Sequence, residues 1–179
     1  MAFARINGVD LHYEDHGSGY PLIFCHEYAG GYRSWEPQVN WFSRYFRCIT
    51  WDYRGFPPSE VPTDPKAYSQ DQLVDDLKGL MDHLGIAKAH LVGLSMGGNV
   101  VLYFGFKYPQ MARSLVVSGL GAGSTNRERF EQDGRQVVEM LRTKGMKALA
   151  DVYTKGPSRL TFLRKDPLGF QTFYNQFCE

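Results

Sequence analysis

The chain has 179 residues, of which 43% are apolar, 22% charged and 15% aromatic. That length fits one domain, able to bury roughly 70% of the surface its unfolded chain exposes, and the composition excludes disorder, collagen and coiled coil. Against 20 Lys and Arg stand 19 Asp and Glu, a net charge of +1, which gives no general attraction to nucleic acid or to an anionic membrane.

Residues 3–6 and 9–13 are β-like runs around Asn7-Gly8, a hairpin turn pair. Residues 15–19 are polar and Gly-rich and read as a loop. Pro-Leu-Ile-Phe-Cys-His at 21–26 is a continuous apolar run, typical of a strand buried on both faces. A helix is expected over 39–46 and a second buried strand over 48–52. Residues 54–66 hold Gly55 and four prolines, hence a loop. Ser69, with Gln72 three residues on, has the form of a capping box. Leu73, Leu77, Leu80, Met81 and Leu84 follow at helical spacing, and Gly85 stops the helix. Residues 89–94 form a third buried strand, 96–108 an apolar helix ended by Pro109, and 114–118 a fourth strand. Strand–helix alternation of this kind predicts an α/β fold, a parallel-type sheet with helices on both faces. Beyond Gly123 the character changes to helices over 126–142, 146–153 and 166–177. The expected division is a sheet core, 1–123, and a helical annex, 124–179.

Cys25, Cys48 and Cys178 are odd in number and lack C-x-x-C spacing, so free thiols are expected, with no disulfide scaffold and no Cys-based zinc site. The N-terminus lacks the pattern of a signal peptide. The longest apolar run, 100–106, is far short of the ~20 residues of a membrane span. The expected setting is the cytoplasm.

The strongest chemical signal is Gly93-Leu94-Ser95-Met96-Gly97-Gly98, between a buried strand and an apolar helix. This is the context of a G-x-S-x-G nucleophile elbow. A tight strand-to-helix turn forces strained backbone on Ser95 and lifts its hydroxyl clear of the sheet. Small residues at Gly93 and Gly97 let strand and helix approach. The helix N-terminus then directs unsatisfied N–H groups at a developing oxyanion. The plain alternative is a glycine-rich turn with a solvated serine.

Phe24-Cys25-His26-Glu27-Tyr28-Ala29-Gly30-Gly31 follows the 21–26 strand. On these residues and the elbow, the chain resembles the N-terminal part of the α/β-hydrolase superfamily, cofactor-free serine hydrolases with a helical lid. In that family the strand ends in H-G-x-x-x-G, with Glu27 here in place of the glycine; a positive φ at that position would strain Glu27 by roughly 1 kcal/mol or more. The resemblance implies an oxyanion hole made by the backbone N–H groups of Tyr28 and Met96. His26 reads as a packing residue that hydrogen-bonds the loop rather than as a catalytic base. Asp52-Tyr53-Arg54-Gly55-Phe56-Pro57-Pro58-Ser59 resembles the family's D-x-R-G-x-G-x-S loop, in which Asp52 and Arg54 tie neighbouring turns together. Trp35 reads as core.

The family's chain order is nucleophile, then acid, then histidine. His12, His16, His26, His83 and His90 all precede Ser95. The carboxylates after it, Glu128, Glu131, Asp133, Glu139, Asp151, Asp166 and Glu179, look like solvated helix faces. The catalytic acid and histidine are therefore expected to be absent from this chain, which reads as a fragment cut inside or just after the lid. Phe162, Leu163, Phe170, Phe173, Tyr174 and Phe177 either roof an apolar pocket or pack the annex.

The implied function is a serine hydrolase, esterase-like, that cleaves an ester or similar acyl bond through an acyl-enzyme on Ser95, poorly in this chain alone. A Ser in place of Asp disfavours epoxide-hydrolase and dehalogenase chemistry, which forms an alkyl ester on a carboxylate. The implied partner is a small apolar ester-type substrate, with no nucleic acid, no membrane, no metal and no cofactor. The alternative is a non-catalytic small-molecule-binding protein of the same fold.

Overall fold

Asn7 and Gly8 both take positive φ, 47° and 82°, the geometry that matches the right-handed twist of paired strands. They join β1 (Ala2–Ile6) to β2 (Val9–His16), antiparallel, with Ile6 opposite Val9. These open a computed structural model that describes residues 2–121 and 124–178. The strand β2 runs on through Asp15 and His16, against the expected loop, because both pair with β4 (Phe46–Trp51).

After β3 (Tyr20–Cys25) come a 3-10 turn at Tyr32–Trp35 and helix α1 (Glu36–Phe42). This helix lies earlier than the sequence reading of 39–46. Pro37 sits in its first turn, where a missing N–H costs nothing, and Phe46 is taken by β4. Next stand α2 (Gln70–His83), β5 (Ala89–Leu94), α3 (Met96–Lys107) and β6 (Ala112–Ser118). Ser69 caps α2 by accepting the Gln72 N–H at 3.0 Å, worth about 1 kcal/mol. The Gln72 side chain turns to Asp76 instead, at 3.1 Å, so only half of the expected box forms.

The six strands lie in the order β1-β2-β4-β3-β5-β6. The pairs β3–β4, β3–β5 and β5–β6 are parallel, while β1–β2 and β2–β4 are antiparallel, so the sheet is mixed at its first edge. Helices cover both faces. On one, Val74, Leu77, Leu80 and Met81 of α2 and Val100, Val101 and Phe104 of α3 pack on Ile23, Ile49, Trp51 and Leu91. On the other, Val39 of α1 packs on Leu22, Phe24 and Cys48, with Trp35 against Phe24. Strands with both faces covered bury every residue from Leu22 to Cys25 and from Cys48 to Trp51. By contrast β6 is exposed from Arg113 to Ser118.

Two compact units, Met1–Leu120 and Gly121–Glu179, divide the chain. The boundary expected after Gly123 falls on residues 122 and 123, outside the described residues. The second unit holds α4 (Arg127–Tyr153), broken at Gly145 (φ 78°, ψ 177°), then α5 (Pro157–Lys165) and α6 (Pro167–Cys178). The aromatic stripe joins these helices: Phe162 meets Phe170 and Phe173 at 5.9 and 6.2 Å, and Phe177 meets Tyr153 at 5.2 Å.

Candidate active site

Parallel pairing sets β3 and β5 side by side, with Cys25 opposite Gly93. Their C-terminal ends therefore open into neighbouring turns. Ser95 links β5 to α3 with φ 53° and ψ −113°, a conformation that costs about 1–3 kcal/mol and persists only where its surroundings impose it. Those surroundings are visible. The Ser95 N–H donates to the Ser118 carbonyl at 2.8 Å, and the Asn99 N–H donates to the Ser95 carbonyl at 3.1 Å. The Ser95 side chain makes no capping bond to α3, so its hydroxyl is not spent on the helix.

The flanking glycines make this turn possible. A Cβ on Gly93 would overlap the Gly97 carbonyl, and one on Gly97 would overlap the carbonyls of Cys25 and His26. Met96 is the first residue of α3, so its N–H is among those with no acceptor inside the helix.

Beyond β3 the chain turns tightly, with the Gly30 N–H donating to the Glu27 carbonyl at 3.1 Å. Tyr28 rides on this turn and is exposed. Glu27 escapes the strain expected of it. Among the described residues, positive φ outside glycine falls on Asn7 and Ser95 alone, so this turn accepts a side chain where the family pattern has none. The elbow abuts the same turn through Gly97 and the His26 carbonyl.

A buried polar network lies beneath. His26 is 1% exposed, and its Nδ1 contacts the Glu27 carbonyl at 2.8 Å. Burial pushes its imidazole down to about 4. Asp52, also 1% exposed, accepts the Tyr32 N–H at 2.8 Å and pairs with His12 Nδ1 at 2.8 Å. Burial raises its carboxyl to about 6, against the pull of those two contacts. Ser59 closes the loop: its hydroxyl donates to the Asp52 carbonyl at 2.7 Å and accepts the His12 N–H at 2.8 Å. Arg54 grips Asp76 with two bonds, at 2.6 and 2.8 Å, and also reaches the carbonyls of Ala67 and Asn7. Asp52 and Arg54 thus tie turns together. The part of His12 was not foreseen, although alternation along β2 sets His12, Glu14 and His16 on one face.

Other nucleophiles and bases lie elsewhere. Burial pushes the Cys25 and Cys48 thiols up to about 12 and about 11, so neither supplies a thiolate. His90 contacts the Ser114 hydroxyl at 2.6 Å, and His83 packs edge-on against Tyr13. In the second unit Glu131, Asp133 and Asp151 pair with Arg127, Arg129 and Lys147 one turn away, Gln132 donates to Glu128, and Asp166 accepts the Gly169 N–H. Glu179 lies outside the described residues. Among the described residues no cluster of His, Cys, Asp or Glu could hold a metal, and no helix is long and apolar enough to cross a membrane.

The family model described as "alpha/beta hydrolase fold" matches residues 20–145. Epoxide hydrolase 3 of Mus musculus is 32% identical over 116 residues, 64% of this chain and 32% of that protein. Epoxide hydrolase 2 of Siraitia grosvenorii is 35% identical over 111 residues, 62% of this chain and 35% of that protein. The chain thus spans about a third of the length of these curated relatives. Among solved structures, the enol-lactonase from Burkholderia xenovorans superimposes with a TM-score of 0.81 at 28% identity, over 99% of this chain and 68% of that one. A thermophilic esterase from Thermogutta terrifontis gives 0.82 at 27% identity, over 96% and 62%. The family model alone covers more than half of the chain, and the strand order and the Ser95 turn accord with it: this chain belongs to the α/β-hydrolase fold family.

Proposed function

We propose that Ser95 is the nucleophile of a hydrolase that cleaves an ester or similar acyl bond through an acyl-enzyme. The observation that carries this reading is the Ser95 backbone, held at φ 53° and ψ −113° with no capping bond from its hydroxyl to α3. A merely structural turn at this position has no need of a strained serine. In the reaction Oγ bonds to the acyl carbon, and the carbonyl electron pair moves to oxygen. The N–H groups of Met96 and Tyr28 receive that charge, aided by the positive end of α3. The names of two structural neighbours, an esterase and an enol-lactonase, accord with an acyl substrate. The names of the curated relatives point to epoxides, but the elbow here carries a serine, not the carboxylate of that chemistry.

Because every histidine precedes Ser95, no base occupies the family's position, and acylation by this chain alone is slow. Residues 1–123 serve in this reading as the catalytic core and residues 124–179 as a helical lid segment. The test is titration with phenylboronic acid, followed by boron NMR. A trigonal boron becomes tetrahedral when a serine oxygen adds to it, as in the oxyanion. The expected result is a tetrahedral signal that is lost in Ser95→Ala; a signal equal in both proteins contradicts the reading.

A further inference from the structure

Tyr53 follows β4 and is fully buried. Its chain neighbours are pinned on both sides. Asp52 accepts the Tyr32 N–H and pairs with His12, and Arg54 grips Asp76. The Tyr53 ring stands edge-on to Trp51 at 4.7 Å and lies tilted against the His26 imidazole at 4.1 Å. Phe56 packs against both rings, at 5.8 and 5.0 Å. The Tyr53 hydroxyl donates to the His26 carbonyl at 3.0 Å. A buried phenol needs an acceptor. Here that acceptor is the carbonyl that also abuts the elbow, where a Cβ on Gly97 would meet it at 2.7 Å. Burial holds the phenol well above its ordinary range, so it stays a donor at neutral pH.

Two successive peptide planes carry this contact to the turn. The first, His26–Glu27, gives its carbonyl to Tyr53. The second, Glu27–Tyr28, gives its carbonyl to His26 Nδ1 at 2.8 Å and to the Gly30 N–H at 3.1 Å. A carbonyl only accepts, so Nδ1 is the donor. The second peptide is trans, and in a trans peptide the N–H points opposite to the carbonyl. Holding the Glu27 carbonyl on the buried imidazole therefore aims the Tyr28 N–H away from the buried network. Tyr53 touches both holds: its hydroxyl fixes the first plane, and its ring lies against the imidazole that fixes the second.

We propose that Tyr53 is a positioning residue of the oxyanion turn: its hydroxyl on the His26 carbonyl and its ring on the His26 imidazole set the direction in which the Tyr28 N–H points. An oxyanion donor acts only when it lies within hydrogen-bond distance of the oxygen that gains charge. A misplacement of about 1 Å can cost about 100-fold in rate, so a hydroxyl that touches no substrate still bears on the reaction. The catalytic consequence rests on the oxyanion role proposed above for Tyr28; the hold on the turn does not.

The test is Tyr53→Phe in the nitrogen-15-labelled 179-residue chain, with phenylboronic acid as the probe. In the unaltered chain the amide protons of Tyr28 and Met96 are both expected to move downfield as the tetrahedral adduct forms. Tyr53→Phe shrinks the Tyr28 displacement by about half or more while that of Met96 persists, and it slows labelling of Ser95 by an alkyl fluorophosphonate about tenfold. Phe56→Leu loosens the same ring cluster but leaves the His26 carbonyl bonded. It keeps the two displacements in their original proportion, so general loosening is not mistaken for lost aim. In the Ser95→Ala chain, where no adduct forms, Tyr53→Phe still moves the Tyr28 amide, which separates a failure of the nucleophile reading from a failure of this one. Displacements in Tyr53→Phe equal to those of the unaltered chain, or a Tyr28 amide indifferent to Tyr53→Phe in the Ser95→Ala chain, overturn the proposal.

Discussion

Gly97 of α3 lies so close to the Cys25 carbonyl at the end of β3 that no Cβ fits between them. Both surfaces are backbone, so neither yields by a rotamer change. Gly97→Ala is expected to destabilise the fold by about 1–3 kcal/mol through overpacking. Urea unfolding measures it. A change within about 0.5 kcal/mol, the range of an ordinary surface substitution, contradicts the close approach.

Arg54 and Asp76 form a buried ion pair, 4% and 0% exposed at the side chain. Arg54→Met takes the buried counter-charge from Asp76, which keeps Asn7 and Gln72 as side-chain partners among the described residues, and is expected to cost about 3–5 kcal/mol. The double variant Arg54→Met, Asp76→Asn removes the stranded charge and recovers part of that loss. A double variant no more stable than the single contradicts this account of the pair.

His26 and Asp52 oppose one another in acid. His26 sits at about 4 in the fold, against an ordinary 6.5. Between those values the unfolded chain binds a proton that the folded chain refuses, so its contribution falls as pH drops. Asp52 sits at about 6, against 3.8. There the folded chain holds the extra proton, and its contribution rises as pH drops. Each amounts to roughly 3 kcal/mol across its window, and the two offset between about 4 and 6. Asp52→Asn is therefore expected to lose stability steeply on acidification from pH 6.5 to 4, while His26→Asn gains it. Denaturation curves at stepped pH decide; slopes parallel to that of the unaltered chain refute the offset.

The strand β6 exposes Leu115, Val116 and Val117, the middle one 52% exposed, at the last edge of the sheet. An apolar edge with unpaired backbone groups is a template for another chain. Self-association at micromolar concentration is expected, and Val116→Lys raises the monomer fraction. Sedimentation velocity measures both. A monomer at all concentrations would sink this expectation.

Much of this was legible in the residues. Continuous apolar runs located β3 and β5 to within a residue, because strands with both faces covered cannot alternate. Ser69 and Gly85 bounded α2 through cap chemistry, and the two glycines beside Ser95 marked the elbow. Three things were not legible. Asp15 and His16 lie in β2 only because β4 pairs with them, a long-range effect that no local signal carries. Pro157 opens α5, although a proline with Gly156 before it reads as a break; at the first helical position its missing N–H is harmless. The His12–Asp52–His26 network needs strands distant in sequence, and its members separately look like ordinary polar residues.

The most direct measurement is the intact mass of the chain after incubation with an alkyl fluorophosphonate, followed by peptide mapping. Attack by a serine oxygen forms an O–P bond and expels fluoride, which leaves a stable adduct. One adduct per chain is predicted, on the peptide that holds Ser95, absent from Ser95→Ala and slow to form because no histidine follows the nucleophile. An adduct on another residue, or one formed to the same extent in Ser95→Ala, would contradict the claim that this elbow carries the chemistry.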